Sequence, residues 1–335
     1  MSGFWRDRPV LVTGATGLLG GHLVDALLAR GARVHVFIRD RAPDCWLAAS
    51  GALSRVVQVR GELAEYRDVE RAVAQYRVRT VFHLGAQAIV GVARRSPWQT
   101  FESNARGSWN VLEACRQVDH VDGVVVASSD KVYGPSDDLP YREAHPLNAT
   151  NPYDVSKAMT DMLARSYAVT YGLPVVTLRC GNLYGPGDLH PDRLIPELTR
   201  ARLTGAVPTL RSTGRAERDF LWVGDAVAAY LLAGEAADAD DVRGRAFNVS
   251  GGQPHTVLDV AEAIDRVTGV TEPPRTVLGT AEEEGEIPRQ TLDASAFMER
   301  FGWRATVELD EGLRRTVDWA AQHLIDAHAL SSDDG

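Results

Sequence analysis

A hydroxyl, an acid and an amine follow one another directly after a valine-rich apolar run of the chain. They are Ser129, Asp130 and Lys131, and the pair Tyr153 and Lys157 follows on a predicted helix. Side chains four positions apart lie on the same face of a helix, so the tyrosine and the second lysine can act together. Such groups can move several protons around one small molecule, provided that a neighbouring group accepts a hydride. These five residues are the predicted catalytic set.

The start of the chain carries the pattern of a dinucleotide-binding turn. The apolar run 9–12 leads into the sequence TGATGLLG, and a helical pattern follows over 18–30. Gly14 permits the tight turn, Gly17 lets the backbone approach a pyrophosphate, and Gly20 lets helix and strand pack closely. The helix N-terminus attracts the phosphate charge. We therefore predict a bound nicotinamide dinucleotide as the hydride acceptor.

Two charged residues after the second predicted strand leave NAD+ and NADP+ as alternatives. Arg39 could pair with the 2′-phosphate of NADP+, whereas Asp40 could reach the ribose hydroxyl of NAD+. Both could instead be solvated charges of a loop. Glu62, after the third predicted strand, is a candidate for contact with the adenine, and a plain loop acid is the simpler interpretation.

Composition and charge exclude several classes of protein. The 335 residues carry a formal net charge of −9, which argues against nucleic acid as a partner. No apolar stretch reaches the roughly 20 residues that span a bilayer, and the first residues lack the apolar core of a signal peptide. Three widely spaced cysteines and nine histidines without ligand spacing predict a cytoplasmic protein with no metal site.

Apolar segments alternate with helical patterns through the first half of the chain. This alternation predicts a Rossmann-type α/β fold, in which a doubly wound parallel sheet has helices on both faces. The predicted strands are 9–12, 33–38, 55–58, 80–84, 121–127, 174–179 and 247–249, and the main predicted helices lie near 18–30, 66–77, 100–118, 151–171, 191–204 and 256–268.

The chain is predicted to divide into a nucleotide-binding domain and a smaller lobe. The predicted parts are a dinucleotide-binding Rossmann domain at 1–181 with about 219–253, and a C-terminal α/β substrate lobe at 182–218 with 254–330. Residues 331–335 are predicted to be a disordered tail. The helices near 100–118 and 151–171 carry apolar residues on more than one face, which predicts a homodimer that buries them.

Several motifs, in order along nearly the whole chain, resemble those of the extended short-chain dehydrogenase/reductase family. They are the glycine turn, HLGAQ at 83–87, Asn104, the set Ser129, Tyr153 and Lys157, RCGNLYG at 179–185, RDFLWVGD at 218–225 and FGW at 301–303. Members of this family mostly act on nucleotide-activated sugars, so the resemblance implies a nucleoside-diphosphate sugar as the substrate. The implied contacts of the NAD(P)+ cofactor are Gly14, Thr16, Gly17, Leu18, Leu19, Gly20, Arg39, Asp40, Glu62, Leu63, Leu84, Gly85, Ala86, Gln87, Asn104, Tyr153 and Lys157.

The two residues after the catalytic serine favour one reaction of this family over another. In the 4-epimerases these residues are usually small or apolar, whereas in sugar-nucleotide 4,6-dehydratases an acid stands there. The pair Asp130 and Lys131 most resembles the CDP-glucose 4,6-dehydratases, whose segment reads Ser-Asp-Lys, and the segment 187–196 resembles them as well. The stretch 218–220 and the loop 88–97 depart from that group, which leaves the nucleobase and the hexose open.

The resemblance implies a role for each catalytic residue. Tyr153, as a phenolate favoured by Lys157 and by the nicotinamide charge, removes the proton of the 4-hydroxyl, to which Ser129 is hydrogen-bonded. Lys131 then takes the C5 proton, and Asp130, protonated, assists departure of the C6 hydroxyl. The product is a 4-keto-6-deoxy sugar. The alternative interpretation of Asp130 and Lys131 is a charge pair that only caps the end of the strand.

The remaining candidates would contact the substrate. Guanidinium groups suit phosphate oxygens, so arginines in the second half of the chain are candidates for the diphosphate. The predicted substrate contacts are Gln87, Ser129, Asn182, Arg193, Leu194, Arg211 and Arg218. Two alternatives to a 4,6-dehydratase remain. One is a 4-epimerase of the same fold, and the other is a catalytically inactive dinucleotide-binding regulator, against which the complete set of Ser129, Tyr153 and Lys157 argues.

Overall fold

Seven parallel strands form the central sheet of this computed structural model, which describes residues 3–210, 212–270, 277–279 and 287–332. The strands are β1 (Pro9–Thr13), β2 (Arg33–Ile38), β3 (Val57–Arg60), β4 (Thr80–His83), β5 (Gly123–Ala127), β6 (Val175–Cys180), β7 (Asn182–Tyr184), β8 (Thr209–Leu210), β9 (Glu217–Trp222), β10 (Ala246–Val249), β11 (Pro254–Thr256), β12 (Val277–Leu278) and β13 (Arg289–Gln290). The large sheet has the order β10-β6-β5-β4-β1-β2-β3, and all its pairs are parallel. This is the strand order of a doubly wound dinucleotide-binding sheet, so the predicted fold class is confirmed.

Helices cover both faces of this sheet. The helices are α1 (Leu18–Ala29), α2 (Trp46–Ala49), α3 (Tyr66–Gln75), α4 (Val90–Arg95), α5 (Pro97–Phe101), α6 (Gly107–Arg116), α7 (Pro152–Tyr171), α8 (Leu194–Thr204), α9 (Val223–Ala236), α10 (Val257–Thr268), α11 (Ser295–Phe301) and α12 (Leu309–Ser332). Successive side chains of a strand point to opposite faces. Accordingly, Val10 and Val12 of β1 pack in one core cluster with α1 and α9, whereas Leu11 packs in the other with α3, α6 and α7.

The helix predicted over 100–118 is interrupted. It begins earlier as α5, continues through a π-helical turn at Glu102–Arg106, and ends as α6. Asn104 lies in the π turn, where its amide donates hydrogen bonds to the carbonyl oxygen of Gln87 (3.0 Å) and to Oγ of Ser156 (2.9 Å). The prediction of one continuous α-helix was wrong because this local widening, which serves the tertiary contacts of Asn104, leaves no mark on the apolar periodicity.

The third strand is shifted by two residues from its predicted position at 55–58. Gly51 adopts the left-handed conformation, with φ of +74°, and a 3-10 turn occupies Ala52–Arg55 before β3 begins. The register then pairs His35 with Val57. The valine-rich pattern indicated the strand. It did not indicate the 3-10 turn, which includes residue 55, the first residue of the predicted strand.

The second lobe is built on a smaller sheet in which β9 pairs with β7, β11 and β13. The predicted boundary at residue 219 falls inside β9, while β10 joins the large sheet. The division into domains otherwise stays a prediction. Helix α12 continues through Ser332, so the first two residues of the predicted disordered tail are helical, and 333–335 lie outside the described residues. Within the described chain, no helix has both the length and the apolar character needed to cross a membrane.

Candidate active site

A cavity of about 620 Å³ opens where β1, β5 and β6 end. Ligands of open α/β sheets bind at this edge, outside the carboxyl ends of the strands. The cavity wall is formed by the glycine-rich turn before α1, the segment after β5, the start of α7, helix α4 and the segment that leads into α8. Members of the three groups of sequence candidates, for cofactor, catalysis and substrate, therefore line one cavity. Of the predicted catalytic set, Ser129, Lys131, Tyr153 and Lys157 line it, whereas Asp130 does not.

The glycine-rich turn is packed too closely for side chains at Gly14 and Gly20. Gly14 has a φ of +70°, and a Cβ atom there would lie 2.7 Å from the backbone nitrogen of Gly85. A Cβ atom on Gly20 would collide with the carbonyl oxygen of Gly14. Helix α1 begins at Leu18 with Gly17 as its N-cap, so its first amides face the cavity edge. The predicted contacts that line the cavity here are Gly14, Thr16, Gly17, Leu18, Leu19 and Gly20.

The segment after β4 supplies Leu84 and Ala86 to the wall. Gly85 lies against the side chain of Leu63, where a Cβ atom would be 2.8 Å from Cδ1. Gln87, Asn104, Gly85 and Leu63 are not part of the wall. Asn104 instead fixes the backbone of Gln87 from both sides, since its Oδ1 accepts from the Gln87 amide at 2.7 Å. The amide group of Asn104 thus holds the segment in place and does not face the cavity.

The residues predicted to choose between NAD+ and NADP+ form an exposed ionic group. The guanidinium of Arg39 donates to Oδ2 of Asp40 at 2.6 Å and lies 3.8 Å from Oε1 of Glu62. None of the three lines the cavity. Arg39 is therefore already paired with two carboxylates in the position where it was expected to meet a 2′-phosphate.

The predicted catalytic hydroxyl and acid are joined by a hydrogen bond at the start of a 3-10 turn. Ser129 caps that turn by accepting from the backbone amide of Lys131 at 3.2 Å, and its Oγ donates to Oδ1 of Asp130 at 2.9 Å. Asp130 is 1% exposed, and its Oδ2 has no hydrogen-bond partner among the described residues. The ammonium group of Lys131 donates to Asp130 Oδ1 (3.4 Å) and to Asn182 Oδ1 (3.3 Å).

Tyr153 and Lys157 lie on the buried face of α7, directed into the cavity. Burial raises the pKa of Tyr153 and the charge of Asp130 adds to this effect, while a hydrogen bond with Ser129 and the charge of Arg193 lower it. The chain by itself therefore favours the neutral phenol. The ammonium group of Lys157 donates to the carbonyl oxygen of Ala127 at 2.8 Å, and burial lowers the pKa of Lys157 to about 8.

The predicted substrate residues are only partly brought together. Asn182, Arg193 and Leu194 line the cavity, and Nη1 of Arg193 lies 3.0 Å from Oδ2 of Asp188. Arg218 is absent from the wall, because its guanidinium is buried against the carbonyl oxygens of Glu217 and Ile287. Arg211 lies outside the described residues.

Five charged residues of the site were missed by sequence reasoning. Arg94, Arg95, Asp188 and Asp192 line the cavity, and Asp154 is buried next to the predicted catalytic tyrosine. Oδ1 of Asp154 has no hydrogen-bond partner in the part of the chain that is described, and burial raises its pKa. An acid directly after a catalytic tyrosine was a visible signal for Asp154. No periodicity marks the short helix that carries the two arginines.

No three His, Cys, Asp or Glu side chains within the described ranges are grouped so that they could hold a metal ion. The glycine-rich turn, in contrast, fits a dinucleotide. The absence of side chains at Gly14 and Gly20 keeps the turn packed closely on backbone atoms, and the N-terminus of α1 at Gly17 and Leu18 lines the cavity, where it can attract a diphosphate. The residues present therefore suit an organic cofactor with a diphosphate.

Comparison with known proteins gives a consistent picture. Residues 10–250 match the NAD dependent epimerase/dehydratase family. A curated relative, the trifunctional UDP-glucose 4,6-dehydratase/UDP-4-keto-6-deoxy-D-glucose 3,5-epimerase/UDP-4-keto-L-rhamnose-reductase of Arabidopsis thaliana, is 26% identical over 326 residues. That match covers 95% of this chain and 48% of the relative, so the chain spans about half the length of that protein.

Two further relatives are similar over nearly their whole length. A dTDP-glucose 4,6-dehydratase of Actinoplanes sp. is 30% identical over 319 residues, which are 92% of this chain and 97% of the relative. The crystal structure of a UDP-glucose 4-epimerase of Thermotoga maritima with UDP-glucose has a TM-score of 0.85 at 27% identity, covering 94% of this chain and 99% of that one. Both a dehydratase and an epimerase are thus among the relatives. The CDP-glucose enzymes, which the sequence resemblance favoured, are not represented by these three proteins.

Proposed function

Because the chain belongs to the NAD dependent epimerase/dehydratase family, we propose that it is a nucleoside-diphosphate-hexose 4,6-dehydratase. The observation that carries this proposal is the position of Asp130. Its carboxyl group is buried, is bonded through Oδ1 to the catalytic serine, and has a second oxygen without a partner in the described chain. A 4-epimerase needs no acid at this point, whereas elimination of a hydroxyl group does.

The cofactor of the proposed reaction is NAD(P)+, bound along the glycine-rich turn with its diphosphate near the start of α1. When bound, it supplies the exchange of one hydride, taken from C4 of the hexose and returned to C6. Leu84 and Ala86 form the wall beside this turn. Lys157, fixed through the carbonyl oxygen of Ala127, adds a positive charge to the cavity that Tyr153 also lines.

Oxidation at C4 requires that a base take the proton of the 4-hydroxyl group. In the proposal Tyr153 takes this proton. Its hydrogen bond with Ser129 supports this role, because the two side chains could then contact one substrate oxygen. Burial and the charge of Asp130 raise the pKa of Tyr153, so the phenolate must be favoured by positive charge in the assembled complex. Lys157, which also lines the cavity, would supply such a charge.

Elimination follows from the acidity of C5 next to the new 4-ketone. In the proposed step one proton first passes from the ammonium group of Lys131 to Asp130, its partner at 3.4 Å, which gives a neutral amine and a carboxylic acid. Lys131 then takes the C5 proton, and Asp130 gives its proton to the departing C6 hydroxyl, so that one water leaves. The hydride then adds to C6 and a proton returns to C5. The product is a 4-keto-6-deoxyhexose, and no net oxidation has occurred. Asn182, which accepts a hydrogen bond from Lys131, holds the amine toward the cavity.

The alternative is a 4-epimerase, which returns the hydride to the opposite face of C4. The similarity to the UDP-glucose 4-epimerase of Thermotoga maritima supports this alternative. The two functions share Ser129, Tyr153 and Lys157, and differ in whether Asp130 and Lys131 take part.

The purified enzyme should be incubated with UDP-, dTDP-, GDP- and CDP-hexoses, and the products should be analysed by mass spectrometry. The proposal requires a product that has lost one water and carries a keto group. A product of unchanged mass with inverted configuration at C4 would establish the epimerase instead. If no hexose of the panel were altered, although the enzyme contains its cofactor, both functions would be rejected.

A further inference from the structure

Two exposed arginines of α4 add positive charge to the cavity wall. Arg94 and Arg95 line the cavity and form no ion pair with any described residue. The charge of Arg94 also acts on the buried carboxyl group of Asp154. The other arginine of the wall, Arg193, is paired with Asp188 at 3.0 Å. Uncompensated guanidinium groups beside a ligand cavity attract an anionic ligand, because the walls reduce the screening by water.

Helix α4 carries both arginines in the wall of the cavity. Helix α4 follows the cofactor segment after β4 and packs against α7, which carries the catalytic tyrosine. Gly91 also lines the cavity, and a Cβ atom there would lie 3.6 Å from Nη1 of Arg95, so this guanidinium covers the wall above Gly91. Burial raises the pKa of Asp154, and the charges of Lys131 and Arg94 oppose that effect. Because Asp154 lies in the first turn of α7, Arg94 is close to the start of that helix.

The arginines predicted to bind phosphate have different surroundings. Arg193 lines the wall and is paired with Asp188, whereas Arg218 is turned toward two backbone carbonyl oxygens. Arg211 lies outside the described residues. The substrate class of the proposed function carries two phosphate groups between its base and its hexose. A diphosphate in this cavity needs cationic donors, and guanidinium groups offer two parallel N–H donors to phosphate oxygens.

We propose that Arg94 and Arg95 bind the diphosphate of the nucleotide sugar from the α4 side of the cavity, together with Arg193 of the other lobe. This inference rests on the proposed function, which supplies the diphosphate. It assigns substrate recognition to both lobes, since α4 belongs to the cofactor-binding half of the chain. Binding of the nucleotide sugar would then hold α4 against the lobe that carries α8.

The test is a binding measurement that does not depend on turnover. The enzyme with its cofactor is titrated calorimetrically with UDP, dTDP, GDP and CDP, and with the four corresponding nucleosides. For the diphosphate that binds best, Arg94→Gln and Arg95→Gln should each weaken binding about tenfold, and the double variant about a hundredfold, as expected for charge-assisted hydrogen bonds. Nucleoside binding should stay unchanged, and the salt dependence of diphosphate binding should decrease in the double variant.

Two further variants separate a direct contact from a structural effect. Arg55→Gln removes an exposed arginine that lies outside the cavity, and it should leave diphosphate binding unchanged. Arg94→Lys with Arg95→Lys keeps both charges and should restore part of the affinity. If the double glutamine variant bound the diphosphates as well as the unchanged enzyme, or lost nucleosides and diphosphates equally, the inference would be overturned.

The results for the two proposals can be distinguished. Diphosphate binding that requires both arginines, without conversion of any hexose, would retain this inference and reject the dehydratase. If a hexose lost water and the double variant bound diphosphates normally, the dehydratase would be retained and the role of the two arginines would be rejected. If the unchanged enzyme bound none of the four diphosphates, the assignment of the arginines would be rejected as well.

Discussion

The hydroxyl group of Ser129 donates a hydrogen bond to Oδ1 of Asp130 across 2.9 Å. In the proposed reaction, this contact would join the group that binds the 4-oxygen to the acid that releases the C6 hydroxyl. The two residues are consecutive and lie at the start of one 3-10 turn.

The first prediction concerns that acid. Asp130→Asn keeps the shape of the side chain but removes the proton donor, so loss of water should fall by about 10²–10⁴-fold, the usual contribution of a general acid. Oxidation at C4 should persist, since Ser129, Tyr153 and Lys157 are unchanged. Reduced cofactor, followed by its absorbance in a single turnover, measures the first step, and mass spectrometry measures the second.

Asp137→Asn is the matched control, because Asp137 is an exposed acid a few residues further along the same segment. It should leave both steps unaltered. Full dehydration by the Asp130→Asn enzyme would mean that another group protonates the leaving hydroxyl.

The second prediction concerns stability in acid. His83 is buried between Oγ1 of Thr13 (2.8 Å) and Oγ of Ser108 (2.9 Å), and burial lowers its pKa to about 3. Since the unfolded chain takes up this proton near pH 6.5 and the folded chain does not, the free energy of unfolding should fall as the pH drops below that value. The loss is about 1.4 kcal/mol per pH unit for one proton, down to the pKa of the folded state.

Denaturant unfolding of the unchanged protein and of His83→Gln at several pH values between 7 and 4 checks this expectation. The variant lacks the titrating group, so its stability should fall less steeply over this range. Parallel pH curves of the two proteins would show that the histidine does not drive acid unfolding.

The third prediction concerns the choice of cofactor. Arg39 is bonded to Asp40 and lies close to Glu62, so two carboxylates would repel a 2′-phosphate at this position. We expect the purified enzyme to contain NAD+. In Asp40→Asn with Glu62→Gln the arginine is released, and the preference should move toward NADP+. Extraction of the bound cofactor and titration of the stripped enzyme with both dinucleotides measure it; a preference for NADP+ in the unchanged enzyme would contradict the expectation.

The fourth prediction concerns association. Helices α5 and α7 expose large apolar side chains, with Trp98 at 75%, Met162 at 64% and Val169 at 77% of their surface. We propose that a second copy of the chain covers them, since single exposed side chains are common but a cluster on adjacent helices marks an interface. Met162→Glu with Val169→Glu should give monomers in sedimentation experiments. Val207→Glu, at a position 52% exposed outside these helices, is the control and should not change the mass. If the unchanged protein were a monomer in solution, the proposed dimer would be rejected.

The strands and the glycine-rich turn could be predicted because their signals are local. The apolar runs at Val10 and Val34, the glycines at 14, 17 and 20, and the helical spacing of Tyr153 and Lys157 each depend on neighbouring residues only. The same local pattern placed Ser129 at a strand end, where the structure has it. What a residue contacts across the fold was much less accessible.

Arg218 and Arg94 show where the sequence pattern was insufficient. Both are arginines near recognisable motifs, yet Arg218 turns to backbone carbonyl oxygens whereas Arg94 lines the cavity. Their side chains are long and flexible, so the orientation is decided by tertiary packing, which one sequence does not display. The contacts of Asn104 were also not predicted. The family resemblance implied a cofactor contact, whereas its amide group donates to Gln87 and Ser156.

The π turn at Glu102–Arg106 sets the rotation of α5 about the helix axis relative to α6. Each residue of an α-helix advances the rotation by about 100°, so deleting one residue between Phe101 and Asn104 would turn α5 by that angle relative to α6. The face of α5 that now packs on α7 would point elsewhere, and so would the Trp98 side chain. Length variation is therefore poorly tolerated at this turn, although none of its residues lines the cavity.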